Sequence, residues 1–440
     1  MQMSDHFTYK KLLIYSIPSI VMLIITSVYV IVDGFFISNF IGVQEFASVN
    51  FIFPILMILG TIGYVFGIGG SALIGKKIGE EESEKANEIF TLLIFTSIII
   101  GIIVTVVGFI ILKPATIALG AKGELLDNGL KYGYFNLIGI IGYILQIEFQ
   151  CLFPTAGKPK LGLYISIAIG ICNIVLDAIF IIFFKWGLPG AAIATSISQF
   201  VGGIIPLIYF NRPNNSLLRF TKLRFDGSAL IQSCFNGASE LLNNISASIV
   251  GMLYNVQLLK YAGENGVASY GIMMYLNFIF TSIFIGYLVG SSPIISYNFG
   301  AENKRELKSL CRKSIVIIMV FSFLMFIFSK MFTRQVSNLF IRDNALLLEM
   351  TINGFSIFSY SFLFVGFAIF GSSFFTALND GLVSVIIAGS RSLIFQVGFV
   401  LILPLILGLN GIWISVVLAE FMAVCVSVIF IILKRKKYGY

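Results

Sequence analysis

The stretch GGSALIGKKIGEE at residues 69–81 returns as GSSPIISYNFGAE at residues 290–302. Gly69 and Gly79 in the first copy correspond to Gly290 and Gly300 in the second, at a constant offset of 221. The same offset, without a gap, relates matching residues from about position 47 to about position 420. A repeat of this length predicts two homologous halves, which is the usual build of a transporter whose binding site lies between them.

The composition is that of an integral membrane protein. Of the 440 residues, 58% are hydrophobic and 11% are charged, whereas soluble domains carry roughly 25% charged residues. Apolar runs of about 20 residues recur along the chain, long enough to cross a bilayer. The first run begins near Leu12 and lacks a small-residue cleavage site, so we interpret it as a retained membrane span.

The apolar runs predict an all-α protein with twelve transmembrane helices. Lipid satisfies no backbone hydrogen bonds, so a spanning segment must be helical or part of a closed barrel, and these runs are too long and continuous for barrel strands. The predicted spans are residues 12–38, 48–74, 88–112, 132–153, 161–184, 190–210, 228–256, 267–296, 314–332, 349–376, 382–405 and 410–433.

The basic residues predict the orientation. The loops on the side that carries both termini hold 20 lysines and arginines, and those on the other side hold eight, among them Arg342. By the positive-inside rule both termini are cytoplasmic, in the cell membrane. We expect two parallel six-helix lobes, related by an axis along the membrane normal: an N-lobe at 1–211, a cytoplasmic linker at 212–226 and a C-lobe at 227–440.

Several functional classes are disfavoured. The net charge of +8 comes from short loops between spans, which argues against nucleic-acid binding. The five cysteines show no disulfide or metal spacing, and the only histidine is His6. We find no nucleophile–base pair and no phosphate loop, so the sequence predicts neither an enzyme nor a resident cofactor.

Ionisable side chains at membrane depth are costly and mark ion or substrate paths. Asp33 lies late in the first span, with Tyr29 four residues before it on the same helical face. Asp177 lies deep in the fifth span, with Asn173 likewise four residues before it. Each aspartate could instead simply hydrogen-bond within the helix bundle.

The sixth span adds Thr195, with Ala191 one turn before it. If spans one, five and six pack together, their oxygen atoms suit a hard cation such as Na⁺ and equally suit a proton carrier. The candidate sodium ligands are Asp33, Asn173, Asp177 and Thr195. The coupling ion is therefore H⁺ or Na⁺, and the sequence leaves both open.

Other polar residues at depth lie mostly in the second half. Arg391 is placed to pair with Glu420 or with Glu240 as structural neutralisation, and the alternative is a role in substrate contact or gating. Glu148 lies near the cytoplasmic end of its span, where we expect a solvated carboxylate. Pro18 shares a helix with Asp33 and either permits a bend during function or makes a static kink.

Taken in order, several stretches resemble multidrug and toxic compound extrusion (MATE) transporters of the prokaryotic DinF-like branch. They are YVIVDGFFI (29–37), PTAGKPK (154–160), NIVLDAIFI (173–181), GLPGAAIAT (187–195), GSSPIISYNFGAENKRELK (290–308), SRSLIFQVGFVLILP (390–404) and GLNGIWISVVLAE (408–420). Each motif alone is weak, but their order, spacing and duplication together are specific, and the resemblance covers nearly the whole chain.

The resemblance implies two six-helix lobes flanking a central cavity, and export of organic cations or drugs in exchange for H⁺ or Na⁺. The residues that match the family's amino-lobe site are Asp33, Asn173, Asp177, Thr195 and Tyr29. Pro18 matches the proline about which the first span bends in that family. We also expect the protein to be a monomer. Where another branch has an acid in span seven, this chain reads NNISASIVGM (243–252), so no second ion site is predicted.

Two rival functions remain. A flippase for a lipid-linked precursor would tend to have extra helices or a more basic cavity, whereas only Arg391 is basic at depth here. A non-transporting membrane scaffold or receptor would show no gradient-dependent transport.

Overall fold

The computed structural model describes residues 3–340 and 345–440, and within these ranges it is helical with no strand. Eleven of the described helices are long and apolar enough to cross a membrane. One of them, Gly227–Gly300, is interrupted at Gly263, where φ is 62° and ψ is −156°. Division at this glycine gives the twelve predicted spans. Arg342, counted above among the basic residues, lies outside the described residues.

In chain order the spans are α1 (Tyr9–Ile41), α2 (Gln44–Gly79), α3 (Ser83–Ala118), α4 (Gly123–Thr155), α5 (Pro159–Phe183), α6 (Leu188–Asn211), α7 and α8 (Gly227–Gly300 before and after Gly263), α9 (Lys304–Gln335), α10 (Ala345–Ala377), α11 (Gly381–Leu407) and α12 (Leu409–Tyr438). Most are longer than their apolar cores because polar turns extend them at the ends. The connection between α7 and α8 is shorter than the interval 257–266 left between the predicted spans, because helical residues continue up to Gly263 and resume after it.

The repeat extends to the backbone conformation. Gly187, before α6, has φ 62° and ψ −142°, and Gly408, before α12, has φ 59° and ψ −138°. Glu81 and Glu302, also 221 positions apart, both have positive φ, at 63° and 53°. Positive φ is uncommon for residues other than glycine. Its recurrence at equivalent positions shows that the two halves build the same turns.

The segment that joins the halves lies across the end of the first half. The backbone N–H of Arg219 donates to Asn87 Oδ1 at 2.7 Å, and that of Thr221 donates to Thr91 Oγ1 at 3.0 Å. Asp226 caps α7 by accepting from the N–H of Ala229 at 3.0 Å. Its carboxylate is also 2.7 Å from Lys85 Nζ, and this hydrogen bond holds the pKa of Asp226 below its usual value.

The first helix belongs to two hydrophobic cores. Phe7, Leu12 and Ile20 pack into the core that also contains residues of α7 to α12. Further along the same helix, Tyr29 packs into the core formed by α2 to α6. Ala229, at the start of α7, packs into that first-half core in turn. Each half therefore receives the beginning of the other half's first helix, which ties the two halves together on the side of the termini.

Glycines seal the contact between α2 and α8 on that side. A Cβ added at Gly75 would lie 2.9 Å from the Cβ of Ser296, its equivalent at the 221 offset. A Cβ at Gly79 would meet the backbone of Tyr297, and one at Gly300 would meet the backbone of Lys76. These two contacts are each other's copies across the pseudo-two-fold axis. Because the two backbones approach so closely, α2 and α8 are closed against each other on the side of the molecule where both termini lie.

Candidate functional site

A cavity of about 110 Å³ lies within the first half, between α1, α2, α4 and α6. Asp33 and Tyr29 reach it from α1, and Thr195 reaches it from α6. We call this space the first-half cavity. Directly beyond these polar positions the helices change to π-helical hydrogen bonding, at Ile37–Ile41 after Asp33 and at Ala178–Phe183 after Asp177. Such stretches often mark functional sites.

Asp177 and Asn173 stand behind this wall on α5, and both are fully buried. The carboxyl group of Asp177 approaches that of Asp33 closely enough to interact with it directly. The structure thus brings together the two aspartates that the sequence places on different helices. Tyr29 is held at the edge of the group by Gln146, whose Nε2 lies 3.4 Å from the phenol oxygen.

The group's defining property is unsatisfied hydrogen-bonding capacity. Within the described part of the chain, both oxygens of Asp177, Oδ1 of Asp33 and Oγ1 of Thr195 are buried and make no well-formed hydrogen bond, and the same holds for both polar atoms of the Asn173 amide. Buried polar atoms in folded proteins are nearly always paired, so such a set requires a ligand, a proton or ordered water. Carboxylate, amide and hydroxyl oxygens at one point are a suitable cage for a hard cation or a shared proton.

One predicted member lies apart from the cavity. Ala191 is fully buried in an apolar cluster with Ile37 and Leu188 and does not line the cavity. Its small side chain allows α6 to pack closely, and it presents no polar atom to the group.

Polar side chains of α4 and α6 were missed by the sequence reasoning. Tyr132, Asn136 and Gln146 of α4 and Gln199 of α6 all line the first-half cavity. Tyr132 and Asn136 stand four residues apart in the first part of α4. That spacing places them on one helical face, and it is the signal that would have found them.

A larger cavity of about 390 Å³ lies between the two halves, and we call it the central cavity. Its wall includes residues of α1, α2, α7, α8, α10, α11 and α12. Thr26, Met57, Tyr64 and Phe278 line both cavities and so form the partition between them. A volume of this size is in the usual range for small-molecule sites.

The second-half polar residues lie on the wall of the central cavity. Arg391 Nε lies 3.0 and 2.9 Å from the two carboxylate oxygens of Glu420, and Gln396 Nε2 donates to Glu420 Oε1 at 3.0 Å. The predicted pairing of Arg391 is therefore with Glu420. Arg391 and Gln396 both lie in a π-helical stretch of α11, Ser390–Gln396.

The prediction of a solvated Glu148 was wrong. Its side chain is fully buried in α4, and neither carboxylate oxygen has a hydrogen-bond partner. Gly67 of α2 packs directly against the backbone of Glu148, so the helix end that the sequence places in solvent is covered by a neighbouring helix.

Comparison with known proteins agrees with this architecture. The family model described as MatE matches the chain twice, at residues 18–179 and 241–402, which confirms the two homologous halves. Multidrug export protein MepA of Staphylococcus haemolyticus strain JCSC1435 is 26% identical over 422 residues, covering 94% of this chain and 90% of that protein.

Solved structures share the whole fold. The outward-facing conformation of a multidrug resistance MATE family transporter of the MOP superfamily has a TM-score of 0.92 at 23% identity, and the match covers 98% of this chain and 97% of that one. A MOP superfamily transporter from Pyrococcus furiosus Vc1 (DSM3638) gives 0.91 at 22% identity, with 99% and 98% covered. The twelve-helix, two-lobe fold is thereby confirmed.

Proposed function

The chain belongs to the MatE family, and from this premise we propose that it is a multidrug antiporter that exports amphipathic, often cationic, organic compounds in exchange for H⁺ or Na⁺. As a member of this family it is a transport protein and not an enzyme. Relatives named as multidrug export proteins support the drug-like substrate class. Coupling to an ion gradient is the part of the proposal that rests on the residues of this chain.

The observation that carries the proposal is the group of unpartnered oxygens around Asp33 and Asp177. Two neighbouring buried carboxyl groups cannot both hold their charge cheaply without a counter-charge. Binding of one Na⁺, or protonation of one carboxyl group, relieves this energy. The group is therefore an ion site whose occupancy changes the electrostatics of α1, α5 and α6 together. Glu240, Arg391 and Glu420 are not part of this site.

The first helix is the element through which ion binding would act on the rest of the molecule. Its early residues pack into the second-half core, and Asp33 stands near its other end in the first half. Pro18 lies between, buried, and its missing N–H leaves one helical carbonyl without its partner. We assign Pro18 as the hinge about which α1 bends when the ion site fills or empties.

Alternating access gives the ion and the drug opposing preferences for two facing states. A ligand shifts such an equilibrium only by its difference in affinity between the states. The glycine contacts of α2 and α8 seal the side of the termini, and the excess of basic loops assigns that side to the cytoplasm. We therefore propose that the conformation described above is outward-facing, in the cytoplasmic membrane, with both termini inside.

The proposal keeps the division expected from the repeat, with an N-lobe at 1–211, a linker at 212–226 and a C-lobe at 227–440. The glycine contacts between α2 and α8 are pseudo-symmetric, so the two lobes can rock against each other about them. Because each lobe contributes to the central cavity, one chain contains a complete transport path, and we propose a monomer.

Reconstitution of the full-length protein in liposomes tests the proposal. Ethidium efflux is followed while a pH gradient and a Na⁺ gradient are imposed separately. We expect efflux with one gradient and background with neither. Efflux that is independent of both gradients would contradict ion coupling, and the absence of ethidium movement under every gradient would contradict drug export.

A further inference from the structure

Three acidic or basic residues line the central cavity within the described part of the chain, and two of them neutralise each other. Arg391 and Glu420 form a two-point ion pair, with Glu420 only 2% exposed. Gln396 donates a third hydrogen bond to the same carboxylate. This arrangement satisfies the charges of both groups and locks their geometry. The third acidic or basic residue on the wall is Glu240.

Glu240 has no such partner. Among the described residues, no basic group lies within ion-pair distance of its carboxylate, and the side chain that interacts with it directly is the neutral Asn243. Arg391 acts on it from farther away, and Tyr64 and Cys151 face it from the first half. When ionised, Glu240 therefore places on the cavity wall a negative charge that forms no ion pair within the described part of the chain.

An unpaired carboxylate at membrane depth is energetically costly. A ligand that carries one positive charge would compensate it. Aromatic rings stand on the same wall: Tyr254 and Tyr270 stack with their centroids 5.0 Å apart and their planes within 4° of parallel, and Phe278 lies on the partition. Ring faces attract cations and pack against flat apolar groups.

The central cavity and the ion group share no carboxylate. Asp33 opens to the first-half cavity, and Glu240 opens to the central cavity. Between them stands the partition of Thr26, Met57, Tyr64 and Phe278. Tyr64 faces Glu240 on one side and lies close to Tyr29, a member of the ion group, on the other. A change in the occupancy of one cavity can therefore affect the other cavity through Tyr64.

We propose that Glu240 is the counter-charge of a substrate site in the central cavity, which takes a monovalent aromatic cation, and that this site is separate from the ion group of Asp33 and Asp177. The proposal rests on the proposed function for the class of ligand. Ion and substrate then act on each other through the partition and do not compete for one carboxylate.

Equilibrium binding to the purified full-length protein tests this without transport. Ethidium, a monovalent aromatic cation, and Nile red, a neutral aromatic probe, are titrated by fluorescence into wild type, Glu240→Gln and Asp33→Asn. We expect Glu240→Gln to weaken ethidium binding about tenfold or more and to leave Nile red binding within about twofold. We expect Asp33→Asn, which acts on the central cavity only through the partition, to weaken ethidium binding far less than Glu240→Gln does.

Two controls separate charge from structure. Glu240→Asp keeps the charge and should recover most of the ethidium affinity. Glu264→Gln removes an exposed carboxylate beside the break at Gly263 and should change nothing. Equal losses of ethidium and Nile red in Glu240→Gln would overturn the proposal, as would a loss of ethidium binding in Asp33→Asn with Glu240→Gln unaffected. Binding through Glu240 without gradient-driven efflux would support this site while contradicting the proposed antiport.

Discussion

The two halves of this molecule share a backbone and differ in how their buried charges are treated. In the first half, Asp33 and Asp177 face each other with oxygens that no protein group satisfies. In the second half, Glu420 is gripped by Arg391 and Gln396. The same fold thus holds an open polar group on one side of the pseudo-two-fold axis and a closed one on the other. The repeat therefore determines the backbone fold of both halves, whereas the individual side chains determine how each half treats its buried charges.

The largest expected effect comes from removing the open charges. Asp33→Asn and Asp177→Asn keep the size and polarity of each side chain but remove the charge that binds an ion. We expect each to reduce gradient-driven ethidium efflux in liposomes to near background. Asp127→Asn, at an exposed position on α4, is the matched control and should retain wild-type efflux. Normal efflux from both test variants would contradict the proposal that Asp33 and Asp177 couple transport to an ion gradient.

Breaking the closed pair should affect stability before transport. Arg391→Met leaves Glu420 buried and uncompensated, and we expect a loss of about 3 kcal/mol in the free energy of unfolding. Arg391→Met combined with Glu420→Leu removes both charges and should recover most of that loss. Chemical unfolding of the purified variants in detergent measures both. A double variant as unstable as the single variant would show that the ion pair contributes to stability by more than mutual neutralisation of its two charges.

The glycine seal should respond equally in the two halves. Gly79→Val and Gly300→Val each place a side chain against the backbone of the opposite helix, and overpacking of this kind costs about 1–3 kcal/mol. Because the two contacts are symmetric copies, we expect the two losses to agree within about 1 kcal/mol in thermal unfolding. Gly398→Val, where an added Cβ meets nothing within 4 Å, is the control. Strongly unequal losses of stability would mean that the two halves share a backbone fold but not the packing at this contact.

The smallest expected effect is at the linker between the halves. Asp226→Asn keeps the helix cap and removes the ion pair with Lys85, and we expect a loss below about 1 kcal/mol because both partners are partly exposed. Since Lys85 lowers the pKa of Asp226, the pair stabilises the fold above the carboxyl's ordinary value of 3.8 and loses that contribution as the pH falls below it. Unfolding of wild type and variant should therefore converge at low pH. Divergence on acidification would contradict this origin of the stability.

Much of the fold could be predicted because hydropathy and the offset of 221 are properties of the chain alone. The candidate ligands Asp33, Asn173 and Asp177 could be found because polar residues stand out in apolar spans, and helical periodicity groups those on one helix. The burial of Glu148 could not be predicted, because it depends on Gly67 of another helix packing over it. Gln146 was missed since nothing along the chain relates it to Tyr29.

The sequence by itself determined that this protein crosses the membrane twelve times, that its halves are homologous and that none of the candidate ligands of the first half recurs at its equivalent position in the second half. Only the tertiary structure decided that Asp33 meets Asp177, that Arg391 pairs with Glu420 and leaves Glu240 unpaired, and that α1 belongs to both cores. The physical reason is that helical periodicity dictates which residues share a face. Which faces meet depends on packing among apolar surfaces that are alike in composition and differ only in shape.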